Sequence, residues 1–130
     1  MTCAWCFDDQ STPYTEAVLK SAVAGAVIVV PAIWRLEVVN ALLVAERRKK
    51  ITTAKIAVFL EDLRQLPITV DLKGLDLVFT DVLDQARLYQ RSAYDASYLE
   101  LAKRLGPSLA TKDEPLRKAA HAFGVALYKE

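Results

Sequence analysis

Continuous apolar runs alternate along this chain with segments whose apolar positions recur every three or four residues. "AVIVV" at 26–30 is a run rich in β-branched residues, closed by Pro31, and it reads as a buried parallel strand. Before it, Thr12 suits an N-cap with Pro13 at the first helical position and Glu16 in the first turn, so a helix should run to Gly25. After it, "AIWRLEVVNALLVAERRKK" predicts a long helix. Ile33, Leu36, Asn40, Leu43 and Val44 share one face of that helix, and Arg47, Arg48, Lys49 and Lys50 suit its C-terminal dipole. "TTAKIAVFLEDLRQL" predicts a second helix, stopped before Pro67, and "ITV" a short strand. "GLDLVFTDVLDQARLYQ" and "SAYDASYLELAKRLG" predict two further helices, the latter N-capped by Ser92 and ended by Gly106. "SLAT" predicts a strand, "EPLRKAAHAFG" a helix and "VALY" a last strand. Strands alternating with helices imply an α/β fold on a mostly parallel sheet.

Composition narrows the class. At 130 residues the chain is expected to form a single domain, 1–130, and 53% hydrophobic with 25% charged residues describes a globular protein. A formal net charge of +1 argues against bulk electrostatic nucleic-acid binding, but not against an enzyme that touches a few phosphates. No apolar run approaches the roughly 20 residues needed to span a bilayer. The first residues lack the basic and long apolar regions of a signal peptide. A cytoplasmic protein without a membrane partner is expected, with its two cysteines as thiols.

Those cysteines open the chain as Cys3-x-x-Cys6, followed by Asp8 and Asp9. In a helix the two would be neighbours on one face, packing as small hydrophobes. A zinc site would want two more ligands, yet there is no third Cys and the sole His, His121, lies in an amphipathic helix. A dithiol redox protein is the minor alternative, since C-x-x-C chemistry wants the first Cys at a helix start after a strand. Asp8 and Asp9 read as solvated loop residues.

Open α/β sheets bind ligands beyond the carboxyl ends of their strands. Asp113 follows "SLATK" directly after a predicted strand, Asp95 opens a helix in "SAYDASY", and Glu37 lies early in the helix after Pro31. Three converging carboxylates would repel and would need a cation, and oxygen-only donors suit Mg²⁺ or Mn²⁺. Such an ion can activate water and stabilise a phosphodiester in hydrolysis. A lone Asp or Glu is ordinarily a solvated or capping residue, so the pattern alone leaves both readings open. Glu37, among the large apolar residues of "WRLEVVNALL", has the strongest case, because an unpaired charge buried there would be costly. "ERRKK" reads as a solvated helix end, Trp34, Phe59 and Phe79 as core or interface, and His121 as a surface residue.

"PAIWRLEVVNALLVAERRKKIT", "LPITVD", "SAYDASYLELAKRLG" and "LATKDEPLRKAAHAFGV" resemble, in order, the successive blocks of a PIN-domain ribonuclease, and most closely the VapC-type toxins of bacterial toxin–antitoxin pairs. The resemblance implies a PIN-like α/β/α sandwich on a mostly parallel sheet. It implies Mg²⁺- or Mn²⁺-dependent cleavage of an RNA substrate, a homodimer, and neutralisation by a cognate antitoxin. By matching motifs, Glu37, Asp95 and Asp113 would be the acidic metal-site residues, with Asn40 and Thr111 as supporting polar groups. A buried hydrogen-bonded Asn and a turn-stabilising Thr are the alternatives for the last two.

The family's first strand ordinarily ends in a D-x-S-V-T-x-A-W pattern whose Asp is a principal ligand. Here Met1-Thr2-Cys3-Ala4-Trp5 aligns with its end. The expectation is that this central strand and its Asp either lie upstream of Met1 or are absent. In the second case the chain would be a catalytically incomplete PIN-like binding module, which is the alternative to the ribonuclease toxin.

Overall fold

Pro31 is the last residue of strand β1 (Ile28–Pro31), and the apolar run before it supplies the strand's buried Val30. Among the described residues β1 pairs in parallel with β2 (Ile68–Asp71) in a two-stranded sheet, and the Ile28 N–H donates to the Pro67 carbonyl at 3.0 Å. A computed structural model describes residues 20, 24, 28–106, 109 and 113–127. Expectations for Cys3, Cys6, Asp8, Asp9, the helix of 12–25 and Thr111 lie outside the described residues. The mixed helix-and-strand architecture is the α/β class expected of a PIN-like fold. The chain divides into two compact units, one of Met1–Ile28 with Ile33–Thr69, the other of Val29–Ala32 with Val70–Glu130.

The first unit is built on α1 (Trp34–Arg47) and α2 (Thr53–Arg64). Thr52 caps α2, its Oγ1 accepting the Lys55 N–H at 3.2 Å, and Thr53 Oγ1 donates to Glu46 Oε2 at 3.1 Å. Val38, Leu42 and Ala45 recur at helical spacing and meet Ile51 and Leu63, with Trp34 and Phe59 packed against them. This corrects the expected inner face of α1. Leu36 is 67% exposed, and Asn40 and Leu43 are exposed as well. The helix is apolar on more than one side, so periodicity offered two candidate faces and packing selected the one carrying Val38. Arg47 to Lys50 form the expected solvated end.

The second unit opens differently from the single helix expected over 74–90. A 3₁₀ turn (Lys73–Leu77) leads to a π turn (Val78–Val82) and then to α3 (Leu83–Tyr89). Asp71 Oδ2 accepts the Gly74 N–H at 3.0 Å, and the Leu75 N–H bonds back three residues to Leu72, which tightens the start. The Leu83 N–H then reaches Val78, five residues back, which widens it. The result buries Val82 and leaves Phe79 89% exposed, not in the core.

α4 (Ala93–Leu105) and α5 (Glu114–Phe123) form the core of this unit through Leu99, Ala102, Leu116, Ala119 and Ala120, where alanines allow close approach. Gly106 and Gly124 end these helices at φ 84° and 80°, a conformation that costs glycine little. The expected strands 108–111 and 125–128 meet, among the described residues, as one parallel bridge between Leu109 and Leu127. Tyr89 and Phe123 pack with ring centroids 5.3 Å apart, and Lys103 Nζ lies 5.2 Å from the Phe123 ring. Among the described residues no helix is long and apolar enough to cross a membrane.

Candidate active site at two helix starts

The second unit brings Asp95 and Asp113 together through the starts of α4 and α5. Ser92 leaves the preceding turn extended, at φ −63° and ψ 161°, and its Oγ accepts the Asp95 N–H at 3.0 Å. That cap sets Asp95 in the first turn of α4. Asp113 is itself the N-cap of α5: its Oδ2 accepts the Leu116 N–H at 3.0 Å, and a proline follows in the first turn. Asp113 therefore has the capping role, whatever else it does. Both carboxylates stand at positive helix ends, which favour negative charge.

Arg91 faces the pair. Its Nη1 lies 3.7 Å from Asp95 Oδ2 and 3.9 Å from Asp113 Oδ2, while its Nε donates to the Gln90 carbonyl at 3.0 Å. Gln90 adopts a left-handed conformation at φ 52°, which ends α3 and turns the chain toward Ser92. Burial pushes the Asp95 carboxyl above its ordinary range, the charge of Asp113 pushes it further, and Arg91 offsets part of both.

Two carboxylates from separate helix starts fit the donor set of Mg²⁺ or Mn²⁺, which commonly takes one or two protein carboxylates plus waters and substrate phosphate. Among the described residues no group of three or more His, Cys, Asp or Glu side chains is arranged to hold a metal. Glu37 lies in the first turn of α1 in the other unit, and its backbone N–H donates to Ile33. Its side chain is exposed, which corrects the argument that burial made it the strongest candidate. Asn40, one turn later, is exposed too, so the buried-Asn alternative does not hold.

Sequence reasoning missed Arg91, although an arginine four residues before Asp95 is a visible i,i+4 signal. It also missed the partly buried cluster of Asp71, Glu100 and Arg104. Glu100 and Arg104 show the same spacing, but Asp71 is 33 residues away from Arg104 and nothing local points to it. His121 is exposed, as expected.

No protein-family model matches the chain. Similar proteins include Ribonuclease VapC3 of Mycobacterium tuberculosis strain CDC 1551 / Oshkosh, 33% identical over 109 residues, which are 82% of this chain and 77% of the relative. The protein of the same name from strain ATCC 25618 / H37Rv matches to the same extent.

Proposed function

This chain belongs to the VapC-type PIN-domain ribonuclease family, and on that footing we propose that it is a toxin that hydrolyses RNA phosphodiester bonds with Mg²⁺ or Mn²⁺. The observation that carries the reading is the Asp95–Asp113 pair at two helix starts beside Arg91, in which burial first and the charge of Asp113 second raise the Asp95 carboxyl. When bound, the cation would supply a water of lowered pKa and neutralise charge developing on the phosphodiester. Asp95 and Asp113 would hold it. The Ser92 cap fixes the backbone that carries Asp95, and the Leu116 N–H holds the Asp113 carboxylate in one orientation.

The family resemblance adds Glu37 as a third metal-site carboxylate, with Asn40 and Thr111 as supporting groups. It also adds one PIN-like domain over 1–130, a cytoplasmic setting, a cognate antitoxin and a homodimer. Exposed apolar side chains have the chemistry that protein partners cover: Leu36 and Val39 on α1, and Leu72, Leu75 and Phe79 in the second unit.

The test is Mn²⁺-dependent cleavage of RNA by the wild-type protein and by Asp95→Asn. Cleavage by the wild type that is lost in the variant supports the reading. Unchanged cleavage in the variant, with contaminating nuclease excluded, overturns the assignment of Asp95.

A further inference from the structure

Arg91 does more in this geometry than decorate a surface. Its guanidinium stands within 4 Å of both carboxylates at once, one from the first turn of α4 and one from the cap of α5. The two distances, 3.7 and 3.9 Å, exceed hydrogen-bond length. The cation therefore compensates the pair without being locked to either member. The side chain is held instead at Nε, by the carbonyl of its own neighbour Gln90. It is partly withdrawn from solvent, at 27% side-chain exposure against 34% for Asp95 and 54% for Asp113.

We infer that Arg91 is a resident counter-ion of the Asp95–Asp113 pair, displaced by a divalent cation and thereby released to hold an RNA phosphate at the same site. The inference rests on the metal-dependent reading above. A divalent cation bound directly by the carboxylate oxygens would act on the pair more strongly than a guanidinium outside hydrogen-bond range. Like charges then repel, and Arg91 leaves the carboxylates. Its planar fork of N–H donors matches two oxygens of a phosphate. With Nε on the Gln90 carbonyl, the two Nη groups are the donors left to turn from the carboxylates toward a phosphate. A chain with a net charge of only +1 has little diffuse attraction for RNA, which makes a cation placed beside the carboxylates the more useful.

The experiment titrates Mn²⁺ alone into the full, metal-free chain by calorimetry, at fixed pH and ionic strength. It compares the wild type with Arg91→Gln, which keeps much of the side-chain length but loses the charge, and Arg91→Lys, which keeps the charge. A second measurement follows the anisotropy of a short labelled single-stranded RNA at saturating Ca²⁺. Arg91→Gln should bind Mn²⁺ about three- to tenfold more tightly, the size expected for removing one cation from two partly exposed pairs. Arg91→Lys should stay near the wild type, and RNA binding should weaken several-fold in Arg91→Gln. Wild-type Mn²⁺ binding that is unchanged or weakened in Arg91→Gln overturns the counter-ion role while leaving the metal site standing. RNA binding unchanged in Arg91→Gln overturns the phosphate contact. No Mn²⁺ binding by any of the three proteins overturns both this inference and the metal-dependent reading.

Discussion

Arg104 and Asp71, 33 residues apart, are joined by two parallel hydrogen bonds, Nη2 to Oδ2 at 2.6 Å and Nη1 to Oδ1 at 3.3 Å. The same guanidinium donates to Glu100, Nε to Oε2 at 2.7 Å and Nη2 to Oε1 at 3.1 Å. Glu100 is only 4% exposed. One cation thus satisfies two carboxylates and ties the end of β2 to α4, the helix whose first turn carries Asp95.

Replacing Arg104 by methionine keeps the apolar stem and removes the charge. Two withdrawn carboxylates are then left without their partner, and the loss should be about 3 kcal/mol or more. Arg104→Lys should fall between the two, because an ammonium cannot reproduce the fork. Urea denaturation of the three proteins measures this.

Asp71 predicts an acid-sensitive element of stability. The hydrogen bonds from Arg104 hold its carboxyl below the ordinary value of 3.8, with help from the Gly74 N–H and against the opposing effect of burial. A depressed carboxyl contributes stability that is complete above the ordinary value and is lost as pH falls through the depressed one. Asp71→Asn should therefore be less stable than the wild type at neutral pH, and the gap should narrow below pH 3.8. Denaturation curves at a series of acid pH values test it.

Gly74 lies against this cluster. A Cβ there would stand 3.1 Å from Asp71 Oδ2 and 3.3 Å from Glu100 Oε1. Both atoms are held by Arg104 and have little room to retreat. Gly74→Ala should destabilise by about 1–3 kcal/mol, despite the usual gain from replacing glycine in a helical turn. A gain in melting temperature would show that the cluster yields.

Asp95→Asn should separate function from stability. A raised carboxyl pKa means that the ionised form costs folding free energy. The group's contribution is full below its ordinary value of 3.8 and is lost as pH rises through the raised one. At neutral pH and without metal the Asn variant should melt no lower than the wild type, and with Mn²⁺ supplied it should lose RNA cleavage. A clear drop in melting temperature would point instead to a structural role for the carboxylate.

Asp113 calls for two substitutions, because it is both a cap and a proposed ligand. Asn can still accept the Leu116 N–H, so Asp113→Asn should keep stability and lose cleavage. Asp113→Ala should lose both, with a stability cost of about 1 kcal/mol. Equal stability of the two variants would show that the cap contributes little here.

The sequence by itself determined the elements whose signals are written in consecutive residues. The Ser92 cap, the glycine stops at Gly106 and Gly124, a strand in the run 26–30, which the structure describes as Ile28–Pro31 with the proline as its last residue, and the alternation of strand with helix were legible, because each rests on local backbone geometry. Asp95 and Asp113 were legible as residues at helix starts. Their approach through Arg91 was decided by how α3, α4 and α5 pack. Tertiary packing also chose which apolar face of α1 went inside, left Glu37 exposed, and built the Asp71–Arg104–Glu100 cluster from segments far apart in the chain. The 3₁₀ and π turns of 73–82 belong with these. Five residues of either turn are too few for their different periods to show in the sequence, whereas the packed structure has the Gly74 N–H on Asp71 Oδ2 and Val82 buried. Local rules settle where elements begin and end. Which side chains meet depends on burial and charge pairing, and these exist only once the elements are packed.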